Sequence, residues 1–459
     1  MKKSILFFLA IVCIAKVTAA VDWNYADSIV KTIVEPQFPN RTYKITDYKA
    51  KSTPDFDNSK IINRLINQCS KRGGGTVIIP AGTFHTGPIT LKSNVNLHLE
   101  EGATLKFSNN PNDYVPFVKT RWEGMDVINY RPLIYANGAE NIAVTGKGVL
   151  DGQADDETWW WMKGRTRFGW DESMPSQYDR GRPKLYEMMA NEVPIKDRKL
   201  TKDDLLRPQF VSPINSKNVL IEGVTIIDAP FWVIHPIFCE NVIVRDVTIR
   251  SHGPNNDGCN PESSKNVLIE GCTFDTGDDC IAIKSGRNED GRREIIPSEN
   301  IIIRNCTMKD GHGGVVLGSE ISGGARNIFV ENCYMNSPQL DRVVRIKSNT
   351  VRGGYMENLF VRNVEVGECK REVFLIEFDY EPQDGEGDFL PVVKNVHVEN
   401  LKSNKGRYGI LIKGVPNRIQ ISDIKFVNCE FNNVQIPMEV RGVENFQFIN
   451  SSMTVEKAK

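Results

Sequence analysis

The sequence has no excess of charge of either sign. Its 57 Lys and Arg stand against 58 Asp and Glu, a net charge of −1. That excludes the strong basic surplus of most nucleic-acid binders. Long hydrophobic runs are missing too, apart from one at the N-terminus, so an internal membrane span is excluded. The N-terminal run has the order of an export signal: Lys2 and Lys3, an apolar stretch from Ile5 to Ala15, then small residues at Thr18–Ala20. Residues 1–20 are therefore read as a signal peptide and 21–459 as one mature domain, periplasmic or extracellular. Removing Lys2, Lys3 and Lys16 shifts the net charge from −1 to −4. A complete disulfide framework is also lacking. Setting Cys13 of the leader aside leaves nine cysteines, an odd number. No Cys/His spacing resembles a zinc site, and no metal or cofactor is expected.

What the chain does contain is a repeat. Seven segments share one pattern, beginning at Asn218, Asn241, Asn266, Asn300, Asn327, Asn358 and Asn395, with a related earlier copy at Asn141. Each opens with Asn, continues with β-branched or apolar residues and a charge, and ends on Gly, Asn or Asp before a small apolar residue. The starts lie 23, 25, 34, 27, 31 and 37 residues apart. A period in this range means a solenoid, a propeller or an array. The units are short β runs between Gly, Asn and Pro, and their spacing varies. Variable spacing favours coils of a solenoid over regular propeller blades. The fold class expected is all-β, a right-handed single-stranded parallel β-helix. Cys272, Cys306 and Cys333 fall at the slot that holds Val224, Val247, Val364 and Leu401 in other copies, with Cys429 in a similar context. They are expected to be core thiols, and the repeated Asn to form ladders at the coil corners.

Two regions break the rhythm. Asp57-Asn58-Ser59 precedes Ile61, Ile62, Leu65, Ile66 and Cys69, an amphipathic helix with an N-cap, and Gly73-Gly74-Gly75 ends it. Residues 45–80 should thus cap the open end of the solenoid. Residues 151–210 hold Trp159-Trp160-Trp161 and Trp170 and read as a long insertion, either a binding wall or a stabilising flap.

Four consecutive coils carry unusual polar groups: Asp257, then Asp278 and Asp279, then His312, then Arg345 and Lys347. Alone, each motif is ordinary. An Asp pair near Gly is often a turn or a calcium site, and Gly311-His312-Gly313 a flexible turn. Similar offsets from the Asn that opens each unit put them on one lateral face. Arg345 and Lys347, two apart on a strand, point the same way. Asp278 and Asp279 can both face a cleft only if the chain bends, which Gly277 permits. Three packed carboxylates repel, so at least one should hold its proton above the usual range. An acid beside an ionised partner suits glycosidic cleavage, and the cations suit a carboxylate on the substrate.

The set Asn-x-Asp, Gly-Asp-Asp, Gly-His-Gly and Arg-Ile-Lys, in this order on a β-helix, resembles the polygalacturonases of glycoside hydrolase family 28. The resemblance extends over roughly residues 45–450 and includes Gly73–Val77 and Leu150–Gln153; Asn256 replaces the usual Thr. It implies an inverting hydrolase of the α-1,4-galacturonosidic bonds of pectin. Asp278 would be the general acid, Asp257 and Asp279 would activate water, and His312 would tune the acid. Arg345 and Lys347 would bind the galacturonate carboxylate, with Tyr380 a further substrate contact. Inversion implies acid-to-base separations of about 6.5–9.5 Å. The insertion and Arg352–Glu357 look similar to bacterial exo-acting members, with the Trp-rich insertion closing one end of the cleft. The alternatives are endo action, a rhamnogalacturonan hydrolase, a calcium-dependent pectate lyase, and a non-catalytic glycan-binding solenoid. The expected partner is a pectic polysaccharide or oligogalacturonide, with no nucleic acid, and the expected state is a monomer.

Overall fold

The computed structural model describes residue 21 and residues 23–456. The signal peptide lies outside the described residues. Twenty-eight strands form one continuous parallel sheet wound into a parallel β-helix. Each repeat unit is a strand that pairs in parallel with its counterpart in the next coil. Lys217–Glu222, Glu240–Arg245, Lys265–Glu270, Ser298–Arg304 and Ala325–Glu331 follow one another in this way.

Stacking puts like above like. Val219, Val242, Val267, Ile301, Ile328, Leu359, Val396 and Ile424 occupy one register position in eight successive coils. All are buried. Each such side chain contributes about 1.5–3 kcal/mol of burial. The repeated cysteines fill the neighbouring interior slot as expected. All nine cysteines among the described residues are buried and free.

The Asn opening each unit has a backbone reason. From Asn94 through Asn395, nine asparagines adopt φ between 52° and 64°, the left-handed region that Asn tolerates. From Asn141 on, each amide donates to the side-chain oxygen of the Asn in the coil before, at 2.7–3.4 Å. Asn300 both donates to Asn266 and accepts from Asn327, each at 3.0 Å. Asn300→Ala loses these two hydrogen bonds and a longer one from the Tyr25 hydroxyl at 3.4 Å, and strains a left-handed residue. It is expected to cost about 2–3 kcal/mol, while Asn300→Gly, which keeps the backbone conformation, costs less. Denaturant unfolding midpoints of the two variants check this.

Four α-helices decorate the coil: α1 (Trp23–Thr32), α2 (Ser59–Lys71), α3 (Gly181–Ala190) and α4 (Asn288–Glu294). Helix α2 falls in the 45–80 region and buries Ile62, Leu65, Ile66 and Cys69. Its first turn is held by Asp57, whose Oδ1 accepts from the Ser59 amide at 2.8 Å, while the Asn58 side chain ties neighbouring loops. A Cβ on Gly74 would lie 2.4 Å from the Asn94 carbonyl, so the exit from α2 needs glycine there. The other three helices were not expected. Helix α1 lies outside the coil, where Trp23, Ala26 and Ile29 cover the outward-facing Leu268, Ile302 and Phe329. Helix α4 interrupts the apparent absence of helix between repeats, and α3 belongs to the insertion.

Candidate active site

The third strand of each coil sets the site. Cys259 pairs with Ile281, Ile281 with Val315, and Val315 with Val344. Asp257 and Asp279 each lie two residues before this row, so they share one register position on adjacent coils. Asp278 and His312 each lie three residues before it and share the next. The chain bends at Gly277 and Asp278. A Cβ on Gly277 would sit 2.4 Å from the Gly253 carbonyl, so only glycine allows the bend that turns both aspartates inward.

All the expected residues converge. One carboxylate oxygen from each of Asp257, Asp278 and Asp279 lies within 4.8 Å of the others. This is closer than the spacing expected for an inverting pair, because consecutive coils fix their groups at about the strand spacing. Lys347 Nζ donates to Asp279 Oδ2 at 2.7 Å, and His312 Nδ1 lies 3.0 Å from Asp278 Oδ1. Arg345 donates twice to Glu377, at 2.9 and 2.5 Å. The Tyr380 ring lies beside both cations, 5.1 Å from the Arg345 guanidinium and 4.9 Å from Lys347 Nζ. The buried Asn256 side chain accepts from the Gly253 amide at 2.8 Å and donates to Ala229, fixing the turn that presents Asp257.

The three oxygens are near enough to embrace a cation. Protein cations already stand against them: Lys347 on Asp279, His312 on Asp278, and Lys284 3.7 Å from Asp257.

Lys284 was missed by sequence reasoning. It lies three residues after Ile281, the offset that separates Lys347 from Val344, and Ile-Lys recurs in both. That shared offset was the available signal. Lys284 Nζ donates to Glu320 at 2.7 Å and lies over the Trp232 ring at 4.6 Å. Asn260 donates to Asp257 Oδ2 at 2.8 Å.

Protonation departs from expectation. Burial, then the neighbouring Asp278 charge, pushes the Asp257 carboxyl well above the usual range against the pull of Lys284. Burial also works against the Asp278 anion, but His312, Lys347 and Lys163 hold that carboxyl below its usual range. The Asp278 charge, opposed by burial, raises His312 to about 9. Burial and the Asp278 charge thus favour the protonated form of Asp257, while the cations around Asp278 favour its anion, the reverse of what a general acid at Asp278 would suggest.

A cavity of about 400 Å³ lies over these groups. The insertion supplies one wall with Lys163, Arg165, Arg167, Phe168, Tyr178 and Arg182. Its tryptophans do not form that wall. Trp159 is fully buried against Tyr114 and Tyr130, and Trp160 donates to the Ala229 carbonyl at 2.9 Å. They anchor the insertion, and its cations face the cleft. Arg352, singled out in the sequence, is buried on Glu381 and Asp384 behind the cavity.

A sequence profile of glycosyl hydrolases family 28 matches residues 195–388, which hold every catalytic and substrate-binding residue expected. An exo-poly-alpha-D-galacturonosidase of Dickeya chrysanthemi is 28% identical over 449 residues, covering 89% of this chain and 70% of that protein. A probable polygalacturonase of Vitis vinifera is 26% identical over 380 residues, covering 78% and 68%. The crystal structure of a hyperthermoactive exopolygalacturonase from Thermotoga maritima superposes with a TM-score of 0.89 at 43% identity, covering 93% of this chain and 95% of that one. With that extent of shared sequence and fold, the chain belongs to glycosyl hydrolase family 28.

Proposed function

We propose that the protein is an inverting, exo-acting polygalacturonase that hydrolyses α-1,4-galacturonosidic bonds of pectic chains. The observation that carries the hydrolase reading is the meeting of three carboxylates within 4.8 Å beside Arg345 and Lys347, a uronate grip next to an acid–base set; inversion rests on the family resemblance, since these oxygens stand closer than the about 6.5–9.5 Å of a usual inverting pair. The 43% identical exopolygalacturonase supports it. Exo action is supported by the insertion, which gives the cavity a wall on one side. Export of the protein is part of the reading and rests on the leader read at residues 1–20.

One proton serves two carboxylates. Burial favours it on Asp257. The carboxylate of an incoming uronate draws Lys347 and Lys163, two of the cations that keep Asp278 ionised. Asp278 then becomes the better base, while Asp257 keeps Lys284 and Asn260, which favour its anion. The proton passes to Asp278, which delivers it to the glycosidic oxygen. Asp257 and Asp279 take the proton of the attacking water. That water adds at the anomeric carbon from the face opposite the leaving oxygen.

Proton NMR during hydrolysis of digalacturonate should show the β-anomer first. First appearance of the α-anomer would mean retention and overturn this mechanism. New reducing ends without ultraviolet-absorbing unsaturated ends, unaffected by a chelator, separate hydrolysis from a calcium-dependent lyase. Galacturonate or a single short product from the earliest time points supports exo action, and a ladder of oligomers opposes it.

A further inference from the structure

A second hollow of about 370 Å³ lies beside the catalytic cavity, and Arg167, Gly277 and His312 line both. Residues 164–169 of the insertion form a tongue between two left-handed glycines, Gly164 (φ +74°) and Gly169 (φ +80°). Cβ atoms there would meet Ser176 Cβ at 2.6 Å and the Asp156 carbonyl at 2.2 Å, so the tongue is seated tightly at both ends. Phe168 between them is buried and meets the Trp160 ring edge-on at 6.4 Å.

The tongue carries two cations unlike most of the cavity; Lys163, also in the wall, donates to the Asn255 side-chain oxygen at 2.9 Å. Lys284, Arg287, Arg182, Arg345 and Lys347 each hold a protein carboxylate, at 2.5–3.3 Å. Among the described residues, Arg165 and Arg167 hold none. Arg165 lies 5.7 Å over the Tyr178 ring and Arg167 4.4 Å over Phe168, and both are exposed toward the cleft. Aromatic faces orient a guanidinium without neutralising it. Two unneutralised guanidiniums on a rigid support beside a site for an acidic polymer invite an anion, and a guanidinium matches a carboxylate with two hydrogen bonds.

Resting on the polygalacturonase reading, we propose that Arg165 and Arg167 hold the carboxylate of a second uronate, outside the one gripped by Arg345 and Lys347. The tongue then selects a substrate that is charged at that neighbouring sugar.

The test compares wild type, R165Q/R167Q and R165K/R167K on trigalacturonate. KM for the Gln variant should rise about tenfold or more, in line with losing charge-assisted hydrogen bonds, with kcat changed less than about twofold. The Lys variant should recover part of the loss, and added salt should raise the wild-type KM toward that of the Gln variant. An unchanged KM overturns the proposal. So does a fall in kcat at constant KM, which would make the tongue a support for the catalytic groups. Failure of wild type to cleave trigalacturonate would sink the polygalacturonase reading itself; cleavage with indistinguishable variants would sink only this inference.

Discussion

Asp278→Asn should lower kcat by about 10²- to 10⁴-fold, the usual contribution of a general acid, while trigalacturonate still binds. The amide keeps the shape of the side chain but has no proton to give. A glycan-binding solenoid would be indifferent to the change, so retained binding with lost turnover separates the two readings. The substitution has a second readout. His312 stands at about 9 chiefly because the Asp278 charge faces it at 3.0 Å. Without that anion its titration should fall toward the ordinary histidine value of about 6.5, which histidine NMR follows directly. The sign for stability follows from the same pair. A histidine raised in the folded state contributes fully below about 6.5 and loses that contribution as pH rises through about 9. Wild type should therefore lose stability over that window, and Asp278→Asn should lose much less of it. Full activity in Asp278→Asn, or an unmoved His312, would remove Asp278 from its assigned role.

Lys347→Met is expected to damage fold and function together. Lys347 and Asp279 are 4% and 1% exposed, and their 2.7 Å contact is the hydrogen bond Asp279 has to a side chain. The other Asp279 oxygen already lacks a partner. Removing the ammonium leaves a buried carboxylate without its cation, and breaking such a pair costs about 3–5 kcal/mol. The same ammonium helps hold Asp278 ionised and is proposed to receive the substrate carboxylate. Unfolding midpoints and steady-state kinetics on one preparation measure both effects. Lys347→Arg should recover stability better than activity, since a guanidinium can meet Asp279 but not in the same place. A stable variant with unchanged KM would mean that neither the pair nor the grip was assigned correctly.

The parts of the molecule legible in sequence are those where one coil repeats another. Asn218, Asn241 and Asn266 announce a corner because every corner needs a left-handed residue that can bond to its neighbours above and below. Cys272 and Val224 announce an interior slot because stacking places like residues in one environment. Asp257, Asp279 and Lys347 could be gathered for the same reason, as matched offsets in matched coils become neighbours in space. Lys284 obeyed this rule too and was overlooked among ordinary strand residues.

What periodicity could not reach was everything that returns from far along the chain or depends on surroundings. Helix α1 covers Leu268, Ile302 and Phe329 across more than two hundred residues, and nothing local to Trp23 says so. The insertion read as a tryptophan wall, yet its tryptophans turned inward and Arg165 and Arg167 faced the cleft, a matter of how one irregular loop packs. The resting place of the proton was likewise beyond the letters. Asp257 and Asp278 are the same residue type and burial opposes the anion of each; only the charges around Asp278, His312 foremost, make them unequal. Residue order alone determined the coil, its corners and which carboxylates meet in one cavity. Packing decided the electrostatics and the shape of the cleft, because desolvation and charge coupling depend on distances that no linear spacing contains.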